Sequence, residues 1–96
     1  MKKDSRDMYE DIPPATLASL QRYIRNGTPT GHFLEAVLEN NLQGAMRRAD
    51  SQNLRALFCI VAWVVNELPA VSWGDRSARL AWIKAGGMEG QDIKWN

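Results

Sequence analysis

His32 and Cys59 are the one histidine and the one cysteine of this chain, and they hold most of its capacity for catalysis. An imidazole can serve as a base near neutral pH, and a thiolate is a strong nucleophile. Cys59, however, lies within the ten-residue apolar run Ala56 to Val65, and thiols in apolar surroundings are inert. No residues fall at the spacing of a nucleophile, base and orienting acid. Glu35 and Glu39 share a helix face at i, i+4, a pairing that reads as solvated surface. An enzyme is therefore not expected. Nor is a metal, since one histidine and one cysteine do not make a four-ligand site and the carboxylates show no calcium-loop spacing. No cofactor is expected either.

The stretch NGTPTGHFLEAV, residues 26–37, has a second kind of chemistry. Two glycines bracket Thr28-Pro29-Thr30, and a helical pattern follows directly. Thr28, Thr30, Gly31 and His32 could hold an anion with hydroxyls, an imidazole and the free N–H groups of a helix start. The stretch lacks the phosphate-loop lysine and the dinucleotide glycine fingerprint. The simpler reading makes it a seam: Gly27 stops one helix and Thr30 caps the next.

Binding surfaces are the remaining possibility. The net charge is +1, without the basic excess that phosphate-driven affinity requires. Arg22, Arg25, Arg47, Arg48 and Arg55 read first as solvated surface, and a weak DNA binder is only a third choice. Four tryptophans in 96 residues is a high share, and Trp and Arg are enriched where proteins meet. Trp63 and Trp82 suit the core. Trp73 falls in a loop, where it either closes the bundle or meets a partner. Trp95 falls near the end.

These residues must be positioned by helices. Leu17, Leu20 and Ile24, with Tyr23, recur at helical spacing after Ile12-Pro13-Pro14, which predicts a helix over 14–26 ended by Gly27. Phe33, Leu34, Val37 and Leu38 predict a second over 31–39. Leu42, Ala45, Met46 and Ala49 predict a third, capped by Asn41, and the second and third could be one kinked helix. Asp50 caps the strongest element, 51–68, which is apolar on nearly every side and is expected to be the buried central helix. Pro69 ends it. Asp75 caps a last helix over 76–85, closed by Gly86-Gly87. Residues 1–11 and 87–96 are expected to be flexible tails.

With 45% apolar and 24% charged residues, the chain reads as one globular domain. The expected class is all-α, a compact bundle of four to five short helices. A single cysteine, no signal-like start and no apolar run near the twenty residues of a membrane span point to a soluble cytoplasmic protein.

Ile12-Pro13, Phe33 to Asn40, Arg48-Ala49-Asp50, Asn66-Glu67-Leu68-Pro69 and Trp73-Gly74 together carry a pattern: Ile-Pro, Phe-Leu-x-Ala-Val-Leu-x-Asn, Arg-Ala-Asp, Asn-Glu-x-Pro, Trp-Gly. In these positions the chain, over about residues 12–83, resembles a family of small helical proteins encoded by tailed phages and prophages. The family carries no established activity. The resemblance implies an accessory protein that works in the cytoplasm of a bacterial host by binding a host protein, as a takeover or anti-defence inhibitor. Trp73, Arg47, Arg48 and Trp95 are the expected contact residues. The alternative is an oligomer that sequesters a nucleotide or other small ligand at Thr28, Thr30, Gly31 and His32. Self-association as a homodimer or higher oligomer is compatible with either.

Overall fold

Helix α1, Pro14–Asn26, begins where the sequence predicts. Pro13 precedes it and Pro14 occupies its first turn, a position whose N–H would have no helical partner. One face of α1 buries Thr16, Leu20, Tyr23 and Ile24. It ends at Gly27, whose φ of 69° is left-handed and whose N–H donates to the Tyr23 carbonyl at 2.9 Å. The computed structural model describes residues 9–91. Trp95 lies outside them.

Helix α2, His32–Leu38, buries Phe33, Leu34, Ala36, Val37 and Leu38. Thr30 is not its cap. The Thr30 hydroxyl donates to the Gly31 carbonyl at 3.3 Å, and Gly31 takes the cap position with extended backbone. The helix therefore starts one residue later than the sequence suggests. α2 and helix α3, Leu42–Arg48, are separate helices. Asn40 turns the chain with φ of 61°, and the Asn41 Oδ1 accepts from the Gly44 N–H at 3.0 Å.

The segment 51–68 departs most from expectation. It divides at Ala56 into helix α4, Ser51–Arg55, and helix α5, Leu57–Glu67. Asp50 caps α4 as predicted, accepting from the Asn53 N–H at 2.8 Å. α4 buries no residue. A bond from the Thr16 hydroxyl to Asn53 Oδ1, 2.6 Å, ties it to α1. α5 is buried along Ile60, Trp63 and Val64 only. Its other side is open: Phe58 is 73% exposed and Val65 54%. An apolar pattern on all sides here marks one core face and one uncovered face.

A single 3₁₀ turn, Ala70–Ser72, follows Pro69. The Tyr23 hydroxyl donates to the Ser72 carbonyl at 2.6 Å, and the Gly74 N–H donates to the Leu38 carbonyl at 2.8 Å. Asp75 caps helix α6, Arg76–Ala85, accepting from the Ala78 N–H at 2.8 Å. α6 buries Trp82, whose indole N–H reaches the Tyr23 carbonyl at 2.9 Å. Gly86 ends α6 with φ of 80°.

The ordered domain runs past the expected start of the tail at 87. Helix α7, Gly87–Gly90, packs on α1 and buries Met88. Gly87 permits this: a Cβ there would stand 2.5 Å from the Gly27 nitrogen. At the other end Tyr9 is anchored too, its hydroxyl donating to Glu67 Oε2 at 3.2 Å. The described residues contain no strand, and the fold is an all-α bundle. The core unites Leu20, Tyr23 and Ile24 of α1 with Leu38, Ile60, Val64 and Trp82.

Candidate binding surfaces

Two surfaces meet at Asn41. The first is apolar. Leu42 and Met46 on α3, Leu54 on α4, Phe58 and Val65 on α5 and Val71 of the 3₁₀ turn are all exposed, between 45% and 73%. Between α2, α3 and α5 lies a groove of about 200 Å³, walled by Val37, Leu42, Ala45, Leu57, Val61, Val64 and Trp73, with Asn40 and Asn41 at one end. Trp73 is half-buried and packs against the core. It thus closes the bundle and also lines the open groove. Exposed apolar side chains taken singly are ordinary on a soluble protein, whereas an open apolar groove is a form that contact sites take.

The second surface is polar, a recess of about 320 Å³ lined by His32, Glu35, Ala36, Glu39, Asn41, Arg48, Arg76 and Arg79. Arg79 is its centre. Position 79 lies three residues before Trp82, on the inward face of α6, and only 8% of the side chain is exposed. Burying a guanidinium is costly unless it is paired. Its Nε donates to Glu39 Oε2 at 2.7 Å, and Glu35 Oε2 lies 3.8 Å from Nη1. Glu35 and Glu39 therefore hold an arginine 40 positions away from the second of them, and the reading of this i, i+4 pair as mere solvated surface is corrected. Arg48 and Arg76 make no ion pair or hydrogen bond among the described residues.

The expected anion loop does not assemble. Thr28 is half-buried, and the Thr30 hydroxyl is taken by the neighbouring carbonyl. Gly31 opens on a shallow cleft with Thr16, Ser19 and Asn53, whereas His32 turns to the polar recess. The His32 ring is 86% exposed, with Nδ1 3.3 Å from Glu35 Oε1. Of the expected contact residues, Arg47 is exposed on α3, Arg48 lines the recess and Trp73 lines the groove. Arg76, Arg79 and the exposed stripe of α3 to α5 escaped the sequence reading. The signal for Arg79 was present, since it shares the helix face of Trp82. Cys59, half-buried on α5, lines neither surface.

Among the described residues, no group of three or more His, Cys, Asp or Glu side chains is placed to hold a metal, and no helix is long and apolar enough to cross a membrane. Compared with known proteins, the chain matches no family, no characterised relative and no solved structure.

Proposed function

We propose that the chain is a non-enzymatic binding protein that docks a partner protein on the apolar face of α3 to α5 and Trp73. The observations that carry this reading are the exposure of Leu42, Met46, Leu54, Phe58 and Val65 on α3 to α5 and an open apolar groove that has Leu42 on its wall. Contact energy at protein interfaces concentrates where apolar and aromatic side chains lose water. The charges on the same helices select the partner's chemistry. Arg47, Arg48 and Arg55 stand there against Asp50, whose carboxylate already caps α4, and Glu67, which accepts from the Tyr9 hydroxyl. Three cations against two carboxylates leave these helices with one positive charge, which favours a partner with an apolar centre and acidic flanks. The resemblance to small phage proteins makes a bacterial host protein the expected partner.

The test compares capture from host lysate by the wild-type chain, Trp73→Ala, Phe58→Asp and, as a control on α1, Arg22→Ala. Phe58 is exposed, so its variant keeps the fold, whereas Trp73→Ala also removes packing against the core. The reading expects one partner held by wild type and Arg22→Ala and lost in both face variants. Equal capture by Phe58→Asp refutes it. A concentration-dependent dimer that Phe58→Asp dissolves would assign the face to a second copy.

A second reading, an oligomer that sequesters a small anionic ligand such as a nucleotide, is favoured by one observation: the three arginines of the polar recess. In that case the apolar face joins copies of the chain, and a nucleotide raises the melting temperature in proportion to its occupancy. No shift at saturating concentrations of any nucleotide removes it.

A further inference from the structure

The guanidinium of Arg79 is incompletely used. Nε donates to Glu39, but neither terminal amino group has a hydrogen-bond partner among the described residues. Glu35 Oε2, at 3.8 Å from Nη1, is an ion-pair neighbour and not an acceptor. Yet the side chain is only 8% exposed, and no buried side-chain nitrogen or oxygen of the described residues lacks a partner. The free N–H groups must therefore lie where the recess admits solvent. A fixed guanidinium presents two parallel donors, the geometry that carboxylate and phosphate match with two oxygens. Glu39 holds Nε and so fixes the plane of the group before any ligand arrives, which lowers the cost of ordering it.

Arg48 and Arg76 line the same recess without partners among the described residues. Counting charges of the lining, three arginines against two glutamates leave one positive charge with His32 neutral. We propose that this recess is an oxyanion site: a carboxylate or phosphate group docks on the two terminal amino groups of Arg79, and Arg48 and Arg76 supply the balancing charge. The site stands beside both functional readings. The oxyanion is either a phosphate on a small molecule or an acidic side chain of a partner seated in the adjoining groove, which reaches the recess at Asn41.

The test follows the Arg79 guanidinium resonances by NMR at constant ionic strength. One arm titrates inorganic phosphate against sodium chloride. The other titrates a helical peptide with a leucine stripe flanked by glutamates, against the same peptide with glutamines. Saturable movement with phosphate supports the site and a small-molecule source. Movement with the glutamate peptide alone supports the site and a partner's carboxylate. In either case Arg48→Gln/Arg76→Gln, two exposed positions whose joint replacement leaves the melting temperature within a few degrees, weakens binding about tenfold or more, the scale of one charge-assisted hydrogen bond. Binding that is equal in the double variant, or movement that chloride and the glutamine peptide reproduce, overturns the proposal. Loss of capture by Phe58→Asp with intact phosphate binding separates this inference from the docking face.

Discussion

The orientation of α5 makes a quantitative prediction from two positions two residues apart. Ile60 is fully buried and Phe58 is 73% exposed. Ile60→Ala removes buried methyl groups and leaves a cavity, at a cost of about 2–5 kcal/mol. A fully buried phenylalanine side chain contributes roughly 1.5–3 kcal/mol by area. About a quarter of Phe58 is out of water, so roughly 0.5 kcal/mol is at stake. Alanine returns about as much through its better helix propensity, of order 0.5 kcal/mol. Phe58→Ala should thus be neutral. For a domain of this size about 4–8 °C of melting temperature corresponds to 1 kcal/mol, so Ile60→Ala should melt at least about 8 °C lower, and Phe58→Ala within about 4 °C of wild type. Urea unfolding followed by far-UV circular dichroism, at two protein concentrations a hundredfold apart, measures both. A loss above about 1.5 kcal/mol for Phe58→Ala at both concentrations, well beyond an ordinary surface change, would mean that its own chain covers Phe58. The uncovered face would then not exist. A loss that grows with concentration would mean that a second copy covers it.

Two further outcomes follow from packing and burial. Gly87→Ala would put a Cβ 2.5 Å from the Gly27 nitrogen and 2.7 Å from the Arg25 carbonyl oxygen at φ of 69°. It should cost about 2 kcal/mol or more by thermal unfolding, whereas Gly31→Ala, with open space around it, should stay within about 0.5 kcal/mol. Burial holds the Tyr23 phenol well above its ordinary value of 10.0, with Arg79 opposing. A group whose folded pKa is raised stabilises fully below the unfolded value and loses that contribution as pH climbs through the folded one. The melting temperature should fall above pH 10, and Tyr23→Phe, which also loses the bond to Ser72 worth about 1 kcal/mol, should flatten that alkaline limb. An unchanged alkaline slope in Tyr23→Phe would assign it to another group.

The features that were legible in the sequence are those settled within a few residues. Gly27, Asn41, Asp50, Asp75 and Gly86 end or cap helices through bonds to atoms three or four positions away, so local spacing suffices to find them. Thr30 failed for the same local reason, because Gly31 beside it can take the cap and its own hydroxyl turned to a carbonyl. The Glu39–Arg79 pair is not local, and only the shared face of Arg79 and Trp82 hinted at it. The segment 51–68 is a different case. Apolar residues on all sides give a periodicity with no inside, and the outcome depends on how many other helices exist to cover it. α4 buries nothing and α3 buries only Gly44 and Ala45, so the neighbours of α5 cover a single face. The exposed residues Leu42, Met46, Phe58 and Val65 thus contribute little to the stability of their own chain. If Phe58→Ala is neutral in isolation, folding does not explain that side chain, and contact with another molecule is the explanation left to test. Loss of capture by Phe58→Asp at unchanged stability would then identify it as part of a contact surface.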